Sequence, residues 1–250
     1  MGLPIIGHLV KAGFRTLASD IDPKKKAEVE KRGATWQPDL SGQCDVILVC
    51  VGFDRELGEL LEHGLKPRPG GIVAVLSTVH PKTVQALARE AKGMHLIDST
   101  VCRGGEAADK GTLLSFVGGP AEVVARITPV LRAYSSDVVH TGEVGSAQVA
   151  KAVNNLILWA CLVADHEGLA LAKRYGMDVE KLRQALLMSS ATNDALEKWG
   201  RQTMAWAEDD MAIIAAMAAE CGIALPQAEV TREVCRALKP RRYRLDEYGA

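Results

Sequence analysis

Residues 142–175 read GEVGSAQVAKAVNNLILWACLVADHEGLALAKRY. From Ser146 to Tyr175 this stretch has no proline and a single glycine, Gly168, and it is apolar around most of its circumference, which predicts one long, largely buried helix. Gly176 follows as a left-handed cap. Helical periodicity continues through Val179–Leu187, Leu196–Cys221 and Gln227–Leu238, with Pro226 at a helix start. Everything after Gly145 is therefore expected to be helical.

Upstream the pattern is different. Short β-branched runs alternate with amphipathic stretches, as strands and crossover helices of a parallel sheet do. The expected strands are Arg15–Ser19, Asp45–Val51, Ile72–Ser77, His95–Asp98, Leu113–Val117 and Asp137–His140. The expected helices are Pro4–Ala12, Pro23–Arg32, Arg55–His63, Pro81–Ala91 and Ala121–Ala133. The runs 45–51 and 72–76 are apolar almost throughout, as strands covered by helices on both faces must be. The fold class is thus α/β, with a sheet domain over residues 1–144 and an all-helical domain over 145–250.

With 48% hydrophobic and 24% charged residues and a formal net charge of -1, the composition is that of a globular protein and points to no nucleic-acid partner. Six cysteines are scattered without a CxxC pair, the usage of a reducing compartment, so a cytoplasmic location is expected. Apolar runs such as Leu156–Val163 are far shorter than the ~20 residues needed to cross a bilayer, so no membrane is expected. No metal-ligand spacing appears. The histidines, including His166, read as packing or surface residues. The basic run from Arg236 to Arg244 reads as a solvated tail.

Two constellations carry chemistry. Gly2 opens a helix-like run, and Asp20 ends the next strand, where a carboxylate would accept hydrogen bonds from ribose hydroxyls and repel a 2′-phosphate. Asp20 reads equally well as part of the turn that starts the next helix. Lys151 and Asn155 stand four residues apart, on one face of the long helix. Polar groups in so apolar a helix are costly to bury without partners, which a site at the domain boundary would supply. The competing reading is a lysine that lays its apolar stem along the helix and reaches water.

With these residues in place the sequence resembles the β-hydroxyacid dehydrogenase family, which includes 3-hydroxyisobutyrate dehydrogenase and tartronate semialdehyde reductase. Four stretches carry the resemblance: Met1–Pro4 with 9–13, Ser77–Pro81, Asp98–Gly104 continuing through Gly111, and Gly142–Asn155. It implies a Rossmann-type domain followed by a helical one, and reversible hydride transfer between NAD and a small 3-hydroxy acid or its semialdehyde. Lys151 matches the catalytic lysine and Asn155 the asparagine that orients the substrate. Cys102, Arg103 and Gly104 match the substrate-binding segment. Gly2, Leu3, Asp20, Ile21, Val51, Gly52 and Thr78 fall at cofactor-binding positions. Asp209 stands where relatives place a lysine that reaches the cofactor, a reversal of charge. So apolar a helical half also leads one to expect a homodimer or higher homo-oligomer.

Other departures matter too. The family motif has a strand and two glycines ahead of the position of Gly2, so a sheet lacking its first strand is expected. Cys102 replaces a serine and Arg103 a glycine. The Arg103 guanidinium either meets a substrate carboxylate or points to solvent. A second function class follows from the same departures, a non-catalytic, cofactor-impaired relative that acts as a dimerising or binding protein. An imine reductase on this fold is disfavoured, because those relatives usually replace the lysine.

Overall fold

The computed structural model describes residues 1–249, which divide after Lys151 into two units. In the first unit the elements run α1 (Gly2–Lys11), β1 (Leu17–Ala18), α2 (Lys26–Lys31), β2 (Thr35–Trp36), β3 (Val46–Val49), α3 (Asp54–Glu62), β4 (Ile72–Val75) and α4 (Pro81–Glu90). They continue with β5 (His95–Asp98), β6 (Val101–Cys102), α5 (Gly104–Lys110), β7 (Leu113–Gly118), α6 (Ala121–Leu131) and β8 (Ser135–Gly142). The long helix α7 (Ser146–Arg174) begins in this unit.

Every side chain of Ile72–Val75 is buried, and the strand's period of two sends alternate residues to opposite faces. Ile72 and Ala74 pack with Ile5 and Leu9 of α1 and Val123, Ile127 and Leu131 of α6. Val73 and Val75 pack with Leu57 of α3 and Val84 of α4. This double cover is why the run lacks the polar alternation of a half-exposed strand.

Strands β3, β4 and β5 are parallel and in register, with Val46 opposite Ile72 and Ile72 opposite His95. Beyond them β7 runs antiparallel to β5, through Asp98 opposite Gly118, while β8 runs parallel to β7. Strands β1 and β2 form a separate parallel pair, Leu17 opposite Thr35. The Rossmann-type sheet expected from the sequence is thus present in two pieces.

Three elements were not expected: β2, β6 and α5. The strands are two residues long and carry no readable period, and α5 is a seven-residue helix that starts with two glycines. The expected strand Arg15–Ser19 shortens to Leu17–Ala18.

The second unit continues α7 and adds α8 (Val179–Leu186), α9 (Asp194–Glu197), α10 (Ala207–Cys221) and α11 (Pro226–Leu238). Its core gathers Trp159, Leu162, Met204, Met211, Ile214, Cys235 and Leu238. The single helix expected over Leu196–Cys221 is broken instead. Gly200 (φ 86°) and Met204 (φ 55°) take left-handed conformations that no α-helix accommodates. His166 is a core residue. Its Nδ1 donates to Leu162 O (2.7 Å) and its Nε2 accepts from Tyr243 N (3.0 Å), a pairing that requires the neutral ring, and burial pushes its pKa down. The basic run at 236–244 is anchored rather than loose, since Arg236 and Lys239 both pair with Glu208.

The division after Lys151 lies within α7, whereas the sequence placed a boundary near Gly145. The first turns of α7 are bonded to the sheet and so group with it. As a whole, α7 is long and apolar enough by composition to span a bilayer, which its unbroken apolar run did not suggest. Its buried Gln148 and His166 are nevertheless hydrogen-bonded to protein groups, as in a core helix.

Candidate active site

The start of α7 is held by groups from far away in the chain. Gly145 precedes it at φ 94°, and a Cβ there would lie 2.8 Å from Gln85 Nε2, so both conformation and space call for glycine. The N–H groups that a helix start leaves over are met by Asp98, at the end of β5. Gly145 N donates to its Oδ1 (2.7 Å) and Gln148 N to its Oδ2 (2.9 Å). Burial pushes the Asp98 carboxyl up from its ordinary value, against the pull of these amides.

The Gln148 side chain extends the connection, accepting from Val79 N (3.0 Å) and donating to Ser77 O (2.8 Å). Thr100 Oγ1 donates to Ala147 O (3.0 Å). The hydroxyl of Ser77 in turn meets both N and O of Val51, each at 2.8 Å. The loops after β3 and β4, carrying Val51, Gly52 and Thr78, are therefore tied to the strand end that holds α7.

One and a half turns into the helix, Lys151 is half-buried. Its Nζ donates to Val101 O on β6 (2.8 Å) and lies 3.9 Å from Cys102 Sγ. Cys102 is buried, and burial pushes its thiol up while Lys151 and Arg103 pull it down. The sequence-predicted lysine and substrate segment are thus in contact. Asn155 lies one turn further along α7, is buried, and accepts from Asn154 Nδ2 (3.0 Å).

Arg103 takes φ 84°, a left-handed conformation suited to glycine. Its Nη1 donates to Asp137 Oδ2 (2.7 Å), Ser136 Oγ (2.8 Å) and Thr112 O (3.1 Å). The guanidinium is thus engaged on β8.

Gly2, Leu3 and Asp20 line one groove of about 470 Å³, between the edge of β3 and the β1–β2 pair. Met1, which precedes the first turn of α1, makes no side-chain cap bond, the Gly2 amide faces the Cys50 thiol and pulls its pKa down against burial, and a Cβ on Gly2 would meet nothing within 4 Å. Asp20 is exposed and its Oδ1 accepts from Asp22 N (2.9 Å), so it does organise the following turn. Ile21 is fully exposed. In the second unit, Asp209 is exposed in the first turn of α10, where an acidic residue suits the helix dipole.

Asp98, Gln148 and Ser77 lie within the resembling stretches, but sequence reading gave none of them a role of its own. The available signal was a single polar group inside or beside an apolar element, which on its own does not say what it binds.

Residues 1–142 match the family described as the NAD binding domain of 6-phosphogluconate dehydrogenase. Residues 145–247 match the family described as NAD-binding of NADP-dependent 3-hydroxyisobutyrate dehydrogenase. The chain is 34% identical to a 3-hydroxyisobutyrate dehydrogenase of Pseudomonas aeruginosa over 205 residues, covering 78% of this chain and 69% of that protein. It is 30% identical to an NAD-dependent L-serine dehydrogenase of the same organism over 207 residues, covering 79% and 69%. Among solved structures, Mycobacterium tuberculosis 3-hydroxyisobutyrate dehydrogenase with L-serine shares the fold, with a TM-score of 0.87 at 20% identity, covering 96% of this chain and 90% of that one.

Proposed function

Because this chain belongs to the β-hydroxyacid dehydrogenase family, we propose that it transfers a hydride between NAD and a small 3-hydroxy acid or its semialdehyde, with Lys151 as the proton-transfer residue. The protein is an oxidoreductase of the NAD(P)-dependent 3-hydroxyacid dehydrogenases. The observation that carries the proposed role is the Lys151 amine, held at Val101 O beside Cys102.

The donor set fits a dinucleotide. The start of α1, where Met1 makes no cap bond, offers N–H groups to phosphate, Gly2 leaves room for close approach, and Asp20 on the same groove offers a carboxylate to ribose hydroxyls. A 2′-phosphate would meet that carboxylate's charge, which favours NAD over NADP. The nicotinamide, when bound, supplies the carbon that accepts or returns the hydride.

The rest falls to the chain's own residues. Lys151 Nζ takes the substrate hydroxyl proton on oxidation and returns one to the carbonyl oxygen on reduction. The amides at Gly104 and Gly105 hold the substrate carboxylate, and Asn155 orients the hydroxyl without adding charge. Thr78, Val51 and Gly52 would hold the nicotinamide end when the cofactor is bound. A homodimer is part of the same reading, supported in the second unit by the exposed Val153 and Ile157 and an apolar hollow along Leu156–Ala164. So is the cytoplasm, where six free thiols would stay reduced.

The test is Lys151→Ala, assayed with NAD and NADP against a panel of 3-hydroxy acids. The loss of an acid–base group should lower kcat by about 10²–10⁴-fold, with NAD affinity within about threefold of the parent. A variant that turns over at the parent rate ends the proposal.

A further inference from the structure

We infer that Asp98 is a positioning residue for Lys151: its buried carboxylate locks the first turn of α7, and with it the reach of the amine, to the end of the sheet. The inference rests on Lys151 being the acid–base group proposed above.

Asp98 is fully buried, and a carboxylate in that setting is costly unless its oxygens are well met. They are met by the N–H groups of Gly145 and Gln148. An ordinary helix cap comes from the residue that begins the helix itself. Here the cap comes from β5, 47 and 50 residues away, so the two bonds join a helix to a strand as well as ending the helix.

The same carboxylate controls both sides of the amine's contact. It holds the helix that carries Lys151, and three residues beyond it the chain reaches Val101, whose carbonyl accepts from the amine. Gln148, bonded to Val79 N and Ser77 O, and Thr100, bonded to Ala147 O, stop α7 from rotating about that attachment. Gly118 closes the other side, since a Cβ there would lie 2.5 Å from Asp98 Oδ1. A helix moves as a rigid rod over so few residues, so a shift at Gly145 arrives at Lys151 undiminished. A misplacement of about 1 Å is enough to cost roughly a hundredfold in rate.

The experiment compares Asp98→Asn with the parent, with Lys151→Ala and with Ile127→Ala, a truncation in the core under α6. The carboxamide keeps the shape and one acceptor, but sets an NH2 group against the remaining N–H. For Asp98→Asn, kcat should fall about 10- to 100-fold while KM and NAD affinity stay within about threefold. The second readout needs no turnover: the rate at which Lys151 is acetylated by an amine-reactive reagent, followed by peptide mass spectrometry. It should rise several-fold in Asp98→Asn and stay at the parent rate in Ile127→Ala, although both lose thermal stability.

An inert Lys151→Ala beside an Asp98→Asn with parental kcat and labelling overturns the positioning role and leaves the proposed function standing. An active Lys151→Ala overturns the proposed function. The labelling rate then decides on Asp98 alone, an increase supporting the lock and no change refuting it. If Asp98→Asn does not fold, Asp98→Ser, which retains a single small acceptor, is read in the same way.

Discussion

Gly118→Ala adds one methyl group at the point where β7, β5 and the start of α7 converge. The new carbon would lie 2.5 Å from Asp98 Oδ1, 2.8 Å from Glu143 O and 2.8 Å from Ser146 Oγ. Only the serine hydroxyl is able to swing away. Overpacking of this kind costs about 1–3 kcal/mol where the surroundings yield. Here yielding means moving Asp98, which accepts from Gly145 and Gln148, and each hydrogen bond to a charged group is worth about 1.5–3 kcal/mol. Losing one of the two brings the expected total to about 2.5–6 kcal/mol, a large share of the 5–15 kcal/mol that typically holds a domain together. The control is Gly58→Ala in the middle of α3, where a Cβ meets nothing within 4 Å. It should stabilise by up to about 1 kcal/mol through helix propensity alone. Urea denaturation measures both, with hydrogen exchange of the β4 and β5 amides separating the sheet unit from the helical one. A Gly118→Ala variant that loses less than about 1 kcal/mol would show that the attachment at the head of α7 gives way easily, and the reasoning built on Asp98 would fail with it.

Arg103→Gly should change stability by no more than about 1 kcal/mol, because relief of a left-handed arginine offsets a half-exposed ion pair. The Asp137 carboxyl, held low first by its hydrogen bond from Arg103 and then by that from Ser136, should move up toward an ordinary carboxylate by NMR; one that does not move contradicts the assignment. Glu180 is held at about 2, from an ordinary 4.5, by hydrogen bonds from Arg183 and then Gln184. Its folded value is depressed, so its contribution to α8 is complete above 4.5 and disappears as pH falls toward about 2. Arg183→Ala should bring the Glu180 titration back toward 4.5, and a titration still near 2 would reject that cause.

Sequence by itself determined the change from alternating strands and helices to continuous helix near Gly145, the buried parallel strands such as Ile72–Val75, and the four-residue spacing of Lys151 and Asn155. These are legible because apolar periodicity is local, set by the 2.0- and 3.6-residue repeats of strand and helix. The family resemblance added the meeting of Lys151 with the segment around Cys102, which spacing alone does not contain. The two-residue strands β1, β2 and β6 are too short to carry a period, and the break at Gly200–Met204 depends on left-handed turns that a hydrophobic pattern does not record. Nor does one residue's identity say that the Arg103 guanidinium turns to Asp137, or that Asp98 caps a helix 47 residues away. Those outcomes belong to tertiary structure, because a polar side chain's partner is whichever group the packed chain brings within 3 Å of it, and the cost of leaving a buried charge unmet enforces the choice.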